Sequence, residues 1–183
     1  MVLSKSAYSV AGKIGKVEGH TIVVWVDNEA GVLARVVGLF SVRGYNIDSL
    51  NVTEVDKKKN ISRITITTSG TPQVLQQIRL QLGKLVPVHK VADFPSNKKT
   101  LMREMALLKV VSSSSQLQRA KKLCKKYKLT IIDKTSKSLV LEISALKKEI
   151  DQLIKKLQPI GLASVSRTGI VAMTKGSEVY KQI

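Results

Sequence analysis

One order of elements, strand-helix-strand-strand-helix-strand, occurs twice along these 183 residues and limits the chain to few folds. An alternating apolar run over 21–26 predicts a strand; beyond Asp27, Asn28 and Gly31 a helix over 31–42 follows, with Val32, Leu33, Val36, Val37 and Phe40 as its apolar stripe. A second strand is expected to start at Tyr45-Asn46 and run through 47–52, with Leu50 and Val52 on one face. The polar hairpin 54–60 joins it to a third strand over 61–68. Thr71 is placed to cap a second helix, Pro72 to occupy its first position, and Val74, Leu75, Ile78, Leu82 and Leu85 to form its buried stripe. A strand over 86–92 closes the unit. The second half repeats this with strand 103–112, helix 116–127, strands 129–133 and 138–143, helix 146–157 and strand 161–167, while 169–172 can add a short strand. The recurrence lies in topology, since the halves share no strong residue identity. Four antiparallel strands carrying two helices on one face make a ferredoxin-like unit whose other face is expected to be open. The fold class is therefore α+β, two ferredoxin-like βαββαβ domains in tandem at 20–94 and 101–175. A linker over 95–100 joins them, with a flexible extension over 1–19 and a tail over 176–183. With 43% hydrophobic residues but only 4% aromatic, the cores must be built from Val, Ile and Leu.

The first strand-glycine-helix junction carries chemistry. Helix N-termini present unpaired N–H groups and about half a positive charge, which attract carboxylates and phosphates, and a glycine lets a ligand approach the backbone. Asn28 can offer amide donors and a carbonyl acceptor to a zwitterion, and Asn46 is a second polar group at an element boundary. The same residues also read as plain structure, with Asn28 capping the helix, Gly31 easing the turn and Asn46 serving a tight connection.

The segments Asn28-Glu29-Ala30-Gly31-Val32-Leu33-Ala34-Arg35-Val36, Gly38-Leu39-Phe40-Ser41 and Arg43-Gly44-Tyr45-Asn46-Ile47 resemble the amino-terminal ACT domain of the regulatory small subunit of acetohydroxyacid synthase, also called acetolactate synthase. Further matching pieces are Ser62-Arg63-Ile64-Thr65-Ile66, Gln76-Gln77-Ile78, Lys84-Leu85-Val86 and Arg103-Glu104 before Leu107-Leu108-Lys109-Val110, so the likeness spans about residues 20 to 175. The resemblance implies that the first domain is an ACT domain and that the chain is a non-catalytic regulatory subunit. Its partner would be a catalytic (large) subunit carrying thiamine diphosphate, FAD and Mg, with no cofactor in this chain. It implies a homodimer through the ACT domains, with ligands at the joint. Valine, or leucine or isoleucine, would bind Asn28, Gly31, Val32 and Leu33 of one chain and Asn46 and Ile47 of the other, and would inhibit the complex by feedback. The carboxylate would meet the N–H groups of Gly31, Val32 and Leu33, the asparagines would hold the zwitterion, and Val32, Leu33 and Ile47 would bound the side chain.

The net charge of +18 needs a separate account. Residues 1–93 carry 12 Lys/Arg against 7 Asp/Glu, and residues 94–183 carry 19 against 6, so the excess lies in the second half. Lys121, Lys122, Lys125, Lys126 and Lys128 flank an apolar stripe of Leu117, Ala120, Leu123, Cys124 and Tyr127, which reads as a solvated helix face. A ferredoxin-like RNA-binding protein would need stacked aromatics on its central strands, and residues 62–68 contain none, while Trp25 stands alone on the first strand. A ligand-binding transcriptional regulator would need a helix-turn-helix segment, which is not evident. No nucleic-acid partner is expected. His20 and His89 lie a domain apart, no Cys/His spacing suits zinc, and no nucleophile elbow, Walker loop or complete dinucleotide-binding glycine turn occurs, so neither metal nor catalysis is expected. No run approaches the ~20 apolar residues that span a bilayer. The single Cys124 fits a reducing compartment, so the chain is read as cytoplasmic, with a plastid as the alternative.

Overall fold

The computed structural model describes residues 17–94 and 99–177. The first unit contains β1 (Glu18–Asp27), α1 (Val32–Val42), β2 (Ser49–Asp56), β3 (Ile61–Gly70), α2 (Pro72–Leu82) and β4 (Val88–Phe94). Its antiparallel sheet has the order β2-β3-β1-β4, with Val24 opposite Ile64 at the centre. Ile22, Val24 and Val26 of β1 face the helices and pack with Val36 and Phe40 of α1 and Ile78 and Leu82 of α2. Val23 and Trp25 face the other way and are also buried, with Ile61, Ala92 and Phe94. The alternation expected over 21–26 is therefore corrected: a strand buried on both sides needs a continuous apolar run, and 22–26 is one.

The second unit contains β5 (Thr100–Val111), α3 (Ser114–Tyr127), β6 (Thr130–Lys134), β7 (Ser138–Ala145), α4 (Lys147–Leu157), a 3-10 turn, β8 (Leu162–Arg167) and β9 (Val171–Thr174). Its sheet has the order β6-β7-β5-β8, and α3 and α4 bury Leu117, Ala120, Cys124, Ile150, Leu153 and Leu157 against Leu108 and Leu141.

The long β5 serves both units. Its second half is central in the second sheet, while residues 100–103 pair with β9 from Thr100 opposite Thr174 to Arg103 opposite Val171. This ribbon lies across the first sheet: Ala172 of β9 and Met102 of β5 pack with Trp25 and Phe94. The expectation that each sheet keeps an open face is therefore corrected for the first unit, where burial of Val23 and Trp25 requires a cover. In the second sheet that face stays uncovered, with Met105 37% and Val111 47% exposed.

Other differences are local. β1 begins at Glu18, ahead of Thr21 and inside the segment read as an extension. β2 begins at Ser49 rather than at Tyr45-Asn46: residues 45–47 lie outside any strand and Asp48 is a bend, while the segment is held to β3, with Thr68 Oγ1 donating to the Asn46 carbonyl at 2.6 Å and the Asp48 N–H to the Thr67 carbonyl at 2.8 Å. In α1 the buried positions are Val32, Val36, Leu39 and Phe40; Leu33 turns outward at 40% exposure. The rest of the expected extension through residue 16, residues 95–98 of the linker and residues 178–183 of the tail lie outside the described residues.

Candidate functional site

Gly31 is itself the N-cap of α1, left-handed at φ 83°, and no side chain caps the helix. Asn28 is thus not the cap. A left-handed residue at this point turns the chain so that Val32 N–H reaches the Glu29 carbonyl only at 3.4 Å, and the N–H groups of Gly31 and Leu33 meet no backbone acceptor among the described residues. Nothing lies within 4 Å of where a Gly31 Cβ would stand, so the helix N-terminus faces open space. A carboxylate can approach it there.

The β2–β3 turn holds Asn28. Its N–H donates to the Asn60 carbonyl at 2.7 Å, its carbonyl accepts from Asn60 Nδ2 at 3.2 Å, and its side-chain Oδ1 accepts from Ser62 Oγ at 3.0 Å. With Oδ1 engaged by this buried serine, what remains for a ligand is the amide NH2, a donor group. Asn46 is the complement. Its Nδ2 donates to Asp48 Oδ1 at 2.7 Å, and Ser69 Oγ donates to Asp48 Oδ2 at 2.9 Å, which leaves Asn46 Oδ1 as an acceptor for an ammonium group. Ser62, Asn60, Asp48 and Ser69 set these roles; none of them stands out as a site residue in the sequence, where the one signal is that Ser62 opens a segment resembling the family.

The six expected site residues do not converge within one chain. Asn28, Gly31, Val32 and Leu33 sit at the start of α1, Asn46 and Ile47 beyond its end, and eleven helical residues span about 16 Å. Val32 is 4% exposed with its side chain in the core, while Leu33 offers an exposed apolar side chain. Ile47 packs half-buried against the same core. β2 is an edge strand with a free side, and Val52 and the polar Thr53 and Glu54 on it are exposed.

The histidines are each paired with a carboxylate, His20 Nδ1 with Asp93 Oδ1 at 2.9 Å and His89 Nε2 with Asp27 Oδ1 at 2.6 Å. Among the described residues no three His, Cys, Asp or Glu side chains come together to hold a metal. Burial pushes the Cys124 thiol above its ordinary pKa. Trp25 and Phe94, on the sheet face where an RNA-recognition domain would stack bases, are 3% and 2% exposed beneath the β5–β9 ribbon. Arg63 crosses this interface: its guanidinium lies 5.6 Å from the Trp25 ring centre and 5.9 Å from that of Phe94, and donates to the Ala172 carbonyl. Burial lowers its pKa from the usual arginine value. No described helix is long and apolar enough to cross a membrane.

Two family models match the chain. An acetohydroxyacid synthase small subunit-like ACT domain matches residues 22–90, and the small subunit of acetolactate synthase matches residues 103–176. An acetolactate synthase small subunit of Haemophilus influenzae is 37% identical over 156 residues, which is 85% of this chain and 94% of that protein. One from Mycobacterium bovis is 34% identical over 157 residues, 86% of this chain and 92% of its own length. The crystal structure of the acetolactate synthase small subunit from Thermotoga maritima superposes with a TM-score of 0.80 at 32% identity, covering 88% of this chain and 99% of that one.

Proposed function

The chain belongs to the small (regulatory) subunit family of acetolactate synthase, and from that premise we propose that it is a non-catalytic subunit that senses a branched-chain amino acid. In this reading it activates a catalytic subunit carrying thiamine diphosphate, FAD and Mg in the cytoplasm, and confers feedback inhibition by valine, with leucine or isoleucine as further effectors. The observation that carries the reading is the complementarity of the two asparagines: Asn28 keeps donors, as a carboxylate requires, and Asn46 keeps an acceptor, as an ammonium requires.

Because these groups lie at opposite ends of α1, a single small amino acid needs both halves from different chains. The topology supports one arrangement. β1 and β2 each pair antiparallel with β3 and therefore run parallel to each other, so the C-terminal end of β2 lies at the end of the sheet where α1 starts. Antiparallel pairing of two β2 edges about a two-fold axis makes an eight-stranded sheet and brings the β2 start of one chain, with its Asn46, toward Asn28 and Gly31 of the other. Leu33 and Ile47 then bound the effector side chain. Inhibition follows only if valine binds one state of the complex better than another, and a coupling of about 1–3 kcal/mol is typical.

The test is L-valine titration of the purified chain by calorimetry, comparing Gly31→Asp with Gly31→Asn. Both substitutes tolerate the left-handed backbone similarly, so their difference isolates the carboxylate repulsion. Binding retained by Gly31→Asn and lost by Gly31→Asp supports the site; equal valine binding by Gly31→Asp and the unsubstituted chain rules it out.

A further inference from the structure

We infer that the cleft between the two units binds a phosphate ester with an apolar body. The cleft, about 360 Å³, runs between the first sheet near Thr21 and Thr67 and the start of α4, and a second space of about 410 Å³ shares Asp48, Lys147 and Ile170 with it. Three cations from two elements meet there: Arg103 of β5 and Lys147 and Lys148 of α4. All three are exposed; Arg103 Nη1 donates to the Met102 carbonyl at 2.8 Å, and among the described residues none of the three has a carboxylate within ion-pair distance.

The charges nearby are already spent. Arg167 lines the second space but donates to both oxygens of the buried Glu104, at 2.8 and 2.6 Å, and to Asp151 at 2.6 Å. The two Asp48 oxygens accept from Asn46 and Ser69. The cleft lining sets Arg103, Lys147 and Lys148 against the single carboxylate of Asp48, so positive charge is in excess there and a bound anion relieves it. The planar arginine fork suits phosphate oxygens, with lysines as point charges beside it.

The apolar part comes from the same cleft. Leu146 occupies the N-cap position of α4, where Ser, Thr, Asp or Asn is usual, and it is 44% exposed. With Met102 and Ile170 it forms a wall that bare phosphate would leave unused. The volume lies in the range of small-molecule pockets, about 300–1,000 Å³. Arg103, Lys147, Lys148 and Leu146 take no part in the proposed valine site, but Asp48 and Ser69 line the cleft and also hold Asn46, so native circular dichroism is the control of structure.

The probes are inorganic phosphate and phenyl phosphate, titrated into the full chain at low ionic strength. Phenyl phosphate is expected to saturate and to bind more tightly than inorganic phosphate. The variant Arg103→Gln/Lys147→Gln/Lys148→Gln should weaken it by about tenfold or more, while Lys121→Gln/Lys122→Gln/Lys125→Gln on α3 leaves it within about twofold. Leu146→Ser should reduce the advantage of phenyl phosphate over phosphate. If the triple cleft variant loses its native circular dichroism, Lys147→Gln alone, at an exposed helix position, is read for the same direction. The proposal is overturned by absence of saturable binding, by equal loss in the α3 variant, or by binding that survives the cleft substitutions; equal affinity for the two probes overturns the ligand class.

Discussion

The two units share one topology and differ at the same structural place, the passage from first strand to first helix. In the first unit Gly31 caps α1 in a left-handed conformation and leaves N–H groups facing open space. In the second, Ser113 stands at the N-cap of α3 with ordinary extended angles and likewise makes no side-chain cap bond, and α3 carries Lys125 and Lys126 in its last turn. Their sheets differ too, since the first is covered on both faces and the second on one. A ligand site is thus a property of a few backbone angles and side chains placed on the fold.

The sharpest way to test the contrast is to remove the ion network that only the second unit has. Arg167→Met leaves the Glu104 carboxylate, 4% exposed, without its partner, and about 3–5 kcal/mol of stability should be lost in urea unfolding. A loss near zero would mean that the network does not hold the unit together.

The glycines give a smaller and graded comparison. A Cβ at Gly161, which has φ 107°, would stand 2.6 Å from the Val111 carbonyl oxygen, so Gly161→Ala should cost about 2–3 kcal/mol. Gly31→Ala meets no neighbour and should cost only about 1 kcal/mol, the left-handed penalty alone. Equal costs in thermal melts would contradict the open surroundings of Gly31.

Arg63→Met removes the guanidinium contact to Ala172 while keeping an apolar chain against Trp25, and should cost about 1 kcal/mol. It should also separate the melting of the two units if the ribbon is what couples them; one unchanged transition would locate the coupling elsewhere. The smallest effect concerns Cys124. Buried, with its pKa raised by desolvation, it should react with iodoacetamide far more slowly in the native chain than in urea, and rapid native labelling would show that the second core opens.

Local signals were legible wherever they sufficed. Thr71 and Pro72 begin α2, with Thr71 Oγ1 accepting from the Val74 N–H at 3.4 Å, and the Ile150, Leu153 and Leu157 stripe forms the buried face of α4. The order of elements, the four helices and the composition of both cores follow from such patterns, because burial periodicity and caps are written within a few residues of each other.

What sequence left open depends on groups far apart in the chain. That Asn28 keeps donors and Asn46 an acceptor is decided by Ser62 and Asp48, and that Trp25 is sealed off is decided by Ala172, some 150 residues away. Leu33 rather than Leu39 turning outward follows from how α1 is rotated over the sheet. Two βαββαβ units and a glycine at the start of α1 are written in the residue order alone. Which polar atoms remain free and which sheet face is covered is assigned by packing and hydrogen bonds between residues far apart in the chain.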